Sequence, residues 1–309
     1  MIVSEDSRWH WMPTERLTWR RAGIATARLI GALLAITVTA SLIQVPFHQM
    51  GFKLAAAAQH PLMSLVVALM IGITALCTLA VFVRWTEGKW PYLLSGRRAV
   101  QEMVMGIFLG CLLYAASVTL LWALGAYHIV SVAAPAVWGV TLLSALPIAI
   151  ASSVVEEALV RGVFMRQLAS IFSPGIALLV SAVVFGLVHL ANPGATVAVA
   201  LGLAVQAGLL LGCAYLLTRR LWAAIGIHFA WNFMQAGVVG GALSGNGVNA
   251  IITAEPRGAM WLSGGAFGIE GSVLTTFVCA AAACALMLVG LRSGRARLAA
   301  HPRNNEPPS

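Results

Sequence analysis

VWGVTLLSALPIAIASSVVEEALVR, from Val137 to Arg161, runs through nineteen uncharged, mostly apolar residues before it meets an acid. A helix that crosses a bilayer needs about 20 mostly apolar residues, so this stretch reads as a membrane span ending in two adjacent carboxylates, Glu156 and Glu157. Ionisable groups at membrane depth cost at least ~2.5 kcal/mol each on insertion scales, and they usually face a cavity and serve a function. The other eight carboxylates, Glu5, Asp6, Glu15, Glu87, Glu102, Glu255, Glu270 and Glu306, read as lying in loops, tails or helix ends.

The rest of the chain has the same character. Hydrophobic residues make up 60% and charged residues only 9%, with a mean hydropathy of +0.89. A soluble domain carries roughly a quarter charged residues, so the class is an integral membrane protein. Eight windows have spanning length: 25–47, 62–83, 103–124, 137–160, 174–191, 197–217, 221–241 and 272–291. Runs of this length are helices, because barrel strands are about ten residues and alternate. The expected fold class is therefore all-α and polytopic, with about eight transmembrane helices. Expected units are 1–136 (tail and three spans), 137–241 (a four-helix catalytic core) and 242–309 (a Gly-rich outer loop, the last span and a polar tail).

Basic residues orient the spans. With the N-terminus inside, 17 of the 19 Lys and Arg residues fall on inside segments, Arg161, Arg166, Arg219 and Arg220 among them, and only Lys53 and Arg257 fall outside. That is the positive-inside distribution. It places both termini in the cytoplasm; the expected location is a prokaryotic plasma (inner) membrane. It also accounts for the net charge of +9 as topology, with the lipid bilayer as partner and no nucleic acid. The N-terminus lacks the short h-region and cleavage site of a signal peptide. Trp9, Trp11, Trp19, Trp85, Trp90, Trp222 and Tyr92 read as interfacial anchors. The five cysteines lie in apolar runs without a CxxC pair, as small hydrophobes do. His48, His60 and His128 fall near outer loops.

Polar residues recur on three neighbouring spans. Glu157 and Arg161 stand at i and i+4 with the acid first, the favourable order for an ion pair. Adjacent helical residues point about 100° apart, so Glu156 is left to face a cavity or a histidine. Phe185 and His189 share one helix face, as do His228 and Asn232. A carboxylate and an imidazole sharing a water can remove its proton, and a second imidazole with a carboxamide can hold an oxyanion. Two histidines and a carboxylate also suffice as a zinc set (Glu156, His189, His228), although no H-E-x-x-H motif is present. A serine nucleophile is less favoured: there is no G-x-S-x-G elbow, and Ser152, Ser153 and Ser181 have no base nearby in sequence. Pro147 can kink its span and open the cavity that Glu156 needs, or simply pack. Asn192 either orients His189 or caps a helix end.

Read together, Glu156-Glu157-x-x-x-Arg161-Gly162, Phe185-x-x-x-His189 and His228-x-x-x-Asn232 resemble the signature of the CAAX-protease and bacteriocin-processing (CPBP) intramembrane proteases, which include CAAX prenyl protease 2-like and Abi proteins. The resemblance covers roughly residues 138–240, about a third of the chain. It implies a membrane-embedded peptidase in which Glu156 and His189 activate water and His228 and Asn232 form the oxyanion site, with Glu157 and Arg161 as structural support. Members carry the label metalloprotease, but a metal-independent glutamate mechanism is favoured, so no cofactor is expected and a divalent metal such as Zn is the alternative. The expected substrate is a peptide or a membrane protein. The competing readings are a non-catalytic immunity or scaffolding protein of the same fold, and a small transporter with a Glu/His proton relay.

One conflict arises from the span boundaries. Glu156 falls near the inner end of span 137–160, and His189 some fifteen residues into the next, a depth difference of roughly 22 Å for straight helices. Either the fifth span is tilted or begins deeper, or Gly162–Phe172 dips into the bilayer. Shared water requires the two side chains within about 6 Å.

Overall fold

The computed structural model describes residues 19–49, 60–296 and 298. Trp9, Trp11, Lys53, Arg297, Arg303 and the polar tails lie outside the described residues, as does the side chain of His48. Among the described residues, seven helices are long and apolar enough to cross a membrane. In chain order, the helices are α1 (Trp19–Gln49), α2 (Pro61–Glu87), α3 (Ala99–Ala123), α4 (Pro135–Ala169), α5 (Pro174–Ala191), α6 (Val197–Thr218), α7 (Trp222–Phe233) and α8 (Val273–Arg292). Helix α7 continues as π-helical turns over Met234–Val238 and falls just short of the spanning length of the others. The fold is all-α and polytopic. Outward faces carry large apolar side chains such as Phe108, Val81 and Phe277, which in water would form an untenable apolar surface.

The largest departure from the sequence reading is α4. It does not end near residue 160 but spans 35 residues in all, from Pro135 to Ala169, through π-helical turns at Ala158–Phe164. Arg161 and Arg166, read as loop cations, are buried inside this helix. Each is neutralised by a carboxylate: Arg161 by Glu157, and Arg166 by Glu87 on α2. Glu156 consequently lies well inside the helix, and the depth conflict with His189 disappears without any dipping loop.

The second departure is at the outer end. The connection after α3 and the Gly-rich segment after α7 form a three-stranded sheet in the order β1-β5-β2, with β1 at Tyr127–Val132, β2 at Val239–Gly240 and β5 at Ile252–Pro256. Strands β1 and β5 are antiparallel, whereas β2 runs parallel to β5. A hairpin of β3 (Ala242–Leu243) and β4 (Asn246–Gly247) sits beside it.

Glycines let the helices approach to backbone contact. A Cβ on Gly226 of α7 would lie 2.5 Å from the Met103 carbonyl of α3, and one on Gly186 of α5 would lie 2.0 Å from the Ala200 carbonyl of α6. Small residues serve this purpose where no hydrophobic drive separates helix from lipid.

Candidate active site

Arg161 organises the centre. Its side chain is buried, and Nη1 donates to Glu157 Oε1 at 2.8 Å. Its Nη2 donates to the carbonyls of Ala207 and Gly208, at 2.8 and 3.0 Å. Those carbonyls fall within π-helical turns at Ala204–Leu209, where the wider winding disrupts the regular i→i−4 ladder. The guanidinium also lies over the Phe185 ring, 5.0 Å from its centroid. One side chain on α4 thus fastens α5 and α6.

Glu157 carries the arrangement to α7. Its Oε1 lies 3.0 Å from His228 Nδ1. An ionised carboxylate only accepts, so His228 carries a proton on Nδ1 and turns Nε2 toward Glu156, whose Oε2 is 3.9 Å away. That gap is too long for a hydrogen bond, but a water about 2.8 Å from each atom fits it. Glu157 is fully buried, whereas the Glu156 side chain is 34% exposed. The two carboxylates therefore have different environments, one structural and one facing open space.

That space is a cavity of about 510 Å³ reached by Glu156, His189, His228 and Asn232. His189 begins a 3₁₀ turn at the end of α5, and its Nδ1 bonds to the Phe185 carbonyl at 2.8 Å. A carbonyl only accepts, so here too the proton is on Nδ1 and the Nε2 lone pair is left over. Phe185 lies between the two imidazoles, with centroid distances of 4.8 Å to His189 and 6.3 Å to His228. Asn232, one turn beyond His228, donates from Nδ2 to Ser152 Oγ at 2.8 Å. Ser152, set aside for want of a base nearby in sequence, also lines the cavity, where it holds the carboxamide. Asn192 lines the rim. The buried His/Glu pair is what a glutamate-type hydrolytic mechanism requires.

Sequence reading missed one site residue. Glu270, placed by pattern in an outer loop, is buried and lines the same cavity. Its carboxylate accepts from Trp231 Nε1 at 3.1 Å, and from the backbone and hydroxyl of Ser244 at 2.9 and 2.7 Å. No local signal marks it, because its partners come from α7 and the β3–β4 turn.

A metal fits poorly. Among the described residues no three His, Cys, Asp or Glu side chains converge where they could hold an ion, so the zinc set of Glu156, His189 and His228 is not formed. No step is derived through a metal.

Comparison with known proteins agrees with the geometry. Residues 138–234, about a third of the chain, match a family model described as Type II CAAX prenyl endopeptidase Rce1-like. That segment contains Glu156, Glu157, Arg161, His189, His228 and Asn232, and it stops before Glu270. Neither the curated proteins nor the solved structures contain a match.

Proposed function

We propose that the chain is an intramembrane endopeptidase that hydrolyses a peptide bond with water activated by Glu156. The observation that carries this reading is His228, held by Glu157 on one nitrogen and facing Glu156 across 3.9 Å with the other, inside a cavity within the helix bundle. Water binds between the Glu156 carboxylate and the His189 Nε2 lone pair. As its oxygen attacks the carbonyl carbon, one proton passes to Glu156. The carbonyl π pair moves to oxygen, and His228, with both nitrogens protonated, and the second Nδ2 hydrogen of Asn232 hold the oxyanion. The pair then returns, the C–N bond breaks, and Glu156 delivers its proton to the leaving nitrogen. The products are a carboxylic acid and an amine, so the atoms of one water are consumed.

The catalytic unit is assigned to residues 137–241, with α7 and its π-helical extension as an eighth span. Both termini are assigned to the cytoplasm on the strength of the arginine distribution, and the membrane is taken as a prokaryotic plasma membrane. The matched family is described as acting on CAAX prenyl substrates. For this chain the substrate is a peptide or membrane-associated protein.

Purified protein in detergent, incubated with a quenched peptide library, tests this. Wild type should cleave, and Glu156→Gln, His189→Ala and His228→Ala should not. Equal cleavage by Glu156→Gln would remove the proposed base. Loss of activity with a chelator, restored by zinc, would replace the metal-free reading.

A further inference from the structure

The cavity reaches one end of the bundle, and charge gives that end a side. Lys89, Arg97 and Arg98 lie between α2 and α3, Arg219 and Arg220 between α6 and α7, and Arg295 after α8. These connections are drawn together at one end. Arg220 pairs with Glu102 and donates to Tyr92, while Leu221 N donates to the Leu93 carbonyl at 3.1 Å. At the opposite end lie the sheet and the hairpin, where Arg257 is the one Lys or Arg among the described residues.

The cavity is at the sheet end. Its walls include Thr141 and Ser144 from the outer part of α4, and Asn246, Val248 and Asn249 from the hairpin segment. Toward the arginine end, Ala207, Leu210 and Leu211 of α6 line it, and Arg161 Nη2 holds the Ala207 carbonyl. The positive-inside rule puts the arginine end in the cytoplasm, so the exposed lining residues Asn246, Gly247 and Asn249 face out. The lining has two carboxylates, Glu156 and Glu270, and no Lys or Arg. The charge of a protonated His228 is already met by Glu157, so no cation is left over for a terminal carboxylate or an acidic side chain, whereas a neutral or basic segment meets complementary charge.

We infer that the substrate is an extracytoplasmic, neutral or basic peptide segment entering from the outer face, and not a cytoplasmic C-terminal tail. This rests on the peptidase reading, and the test separates the two. Asn249 and Arg295 are both exposed. Asn249→Cys and Arg295→Cys are each treated with a membrane-impermeant maleimide in spheroplasts and in inverted vesicles, with wild type as background. Asn249→Cys should label in spheroplasts, and Arg295→Cys only in inverted vesicles. In proteoliposomes whose orientation has been fixed by the same labelling, quenched peptides with Lys or Glu flanks are then added outside. Cleavage should come from the Asn249 face, with Lys-flanked peptides preferred by at least about tenfold. Labelling of Asn249→Cys in inverted vesicles alone overturns the sidedness even if peptides are cleaved. Preference for Glu-flanked peptides overturns the substrate class. Correct labelling without cleavage from either side overturns the peptidase reading, and the substrate with it.

Discussion

Two neighbouring glutamates do different work because one is tied and the other is not. Glu157 is fully buried between Arg161 and His228, whereas Glu156 faces the cavity. Their substitutions should therefore differ in kind. Glu156→Gln keeps size and hydrogen bonding but removes the base, so cleavage should fall about 10²–10⁴-fold with an unchanged melting temperature in detergent. Arg161→Met leaves Glu157 buried without its cation and frees the carbonyls of Ala207 and Gly208. Stripping one partner from a buried pair costs roughly 3–5 kcal/mol, to be read as a large drop in thermal midpoint. Adding Glu157→Gln to Arg161→Met should recover part of that stability. It should not recover cleavage, because His228 then lacks the carboxylate that orients it. A double variant as unstable as the single one would show that the carbonyl contacts, not the ion pair, dominate. The i,i+4 spacing made the Glu157–Arg161 pairing legible in the sequence. The contact of Glu157 with His228 was not legible, because no local pattern spans 71 residues.

At the scale of elements, the spans were legible from their apolar length, and the boundary of α4 was not. Charge at Arg161 and Arg166 mimics a loop, but Arg161 is met by Glu157 one turn back and by the α6 carbonyls, and Arg166 by Glu87 of α2. The π-helical turns that follow the glutamates, run through Ala204–Leu209 and follow Asn232 were equally invisible. The turns at Ala204–Leu209 present the carbonyls that Arg161 holds, a contact more than forty residues apart that no local pattern marks. Gly186 was legible as a small residue beside Phe185, and its contact explains why it must be small. A methyl there meets the Ala200 carbonyl at 2.0 Å, closer than any Cβ contact allows, so Gly186→Ala must push α5 from α6. Overpacking of this kind costs about 1–3 kcal/mol. The shift also moves His189, three residues on, relative to Glu156. The expected result is folded protein of lower thermal midpoint with cleavage reduced at least about tenfold. Wild-type turnover by Gly186→Ala would mean that His189 does not need this helix contact.

For the whole molecule, the sheet end is where the sequence said least. Tyr127–Val132 lies in a connection between spans, and its partner strand, Ile252–Pro256, is more than a hundred residues away. Non-local pairing of this sort leaves no periodic trace. Among the ties that join the sheet end to the bundle are two from side chains: Tyr114 Oη of α3 donates to the Val239 carbonyl of β2, and Glu270 gathers Trp231 with Ser244. The second tie is closer to the chemistry, since Trp231, Ser244 and Glu270 all line the cavity. Glu270→Ala would leave the Trp231 indole N–H and the Ser244 N–H and hydroxyl without their acceptor, at a cost of about 1–3 kcal/mol for each buried orphan. The helices below keep their own packing, so the loss should be local. Amide exchange is expected to rise across 242–249 while the Glu157–Arg161 centre stays protected. Because the hairpin forms one wall of the cavity, KM for a peptide should rise more than kcat falls. Glu270→Gln, which keeps one acceptor oxygen, should lie between wild type and Glu270→Ala. An equal fall in kcat at unchanged KM in both variants would instead place Glu270 in the reaction itself, and the outer sheet would then be part of the catalytic centre rather than its wall.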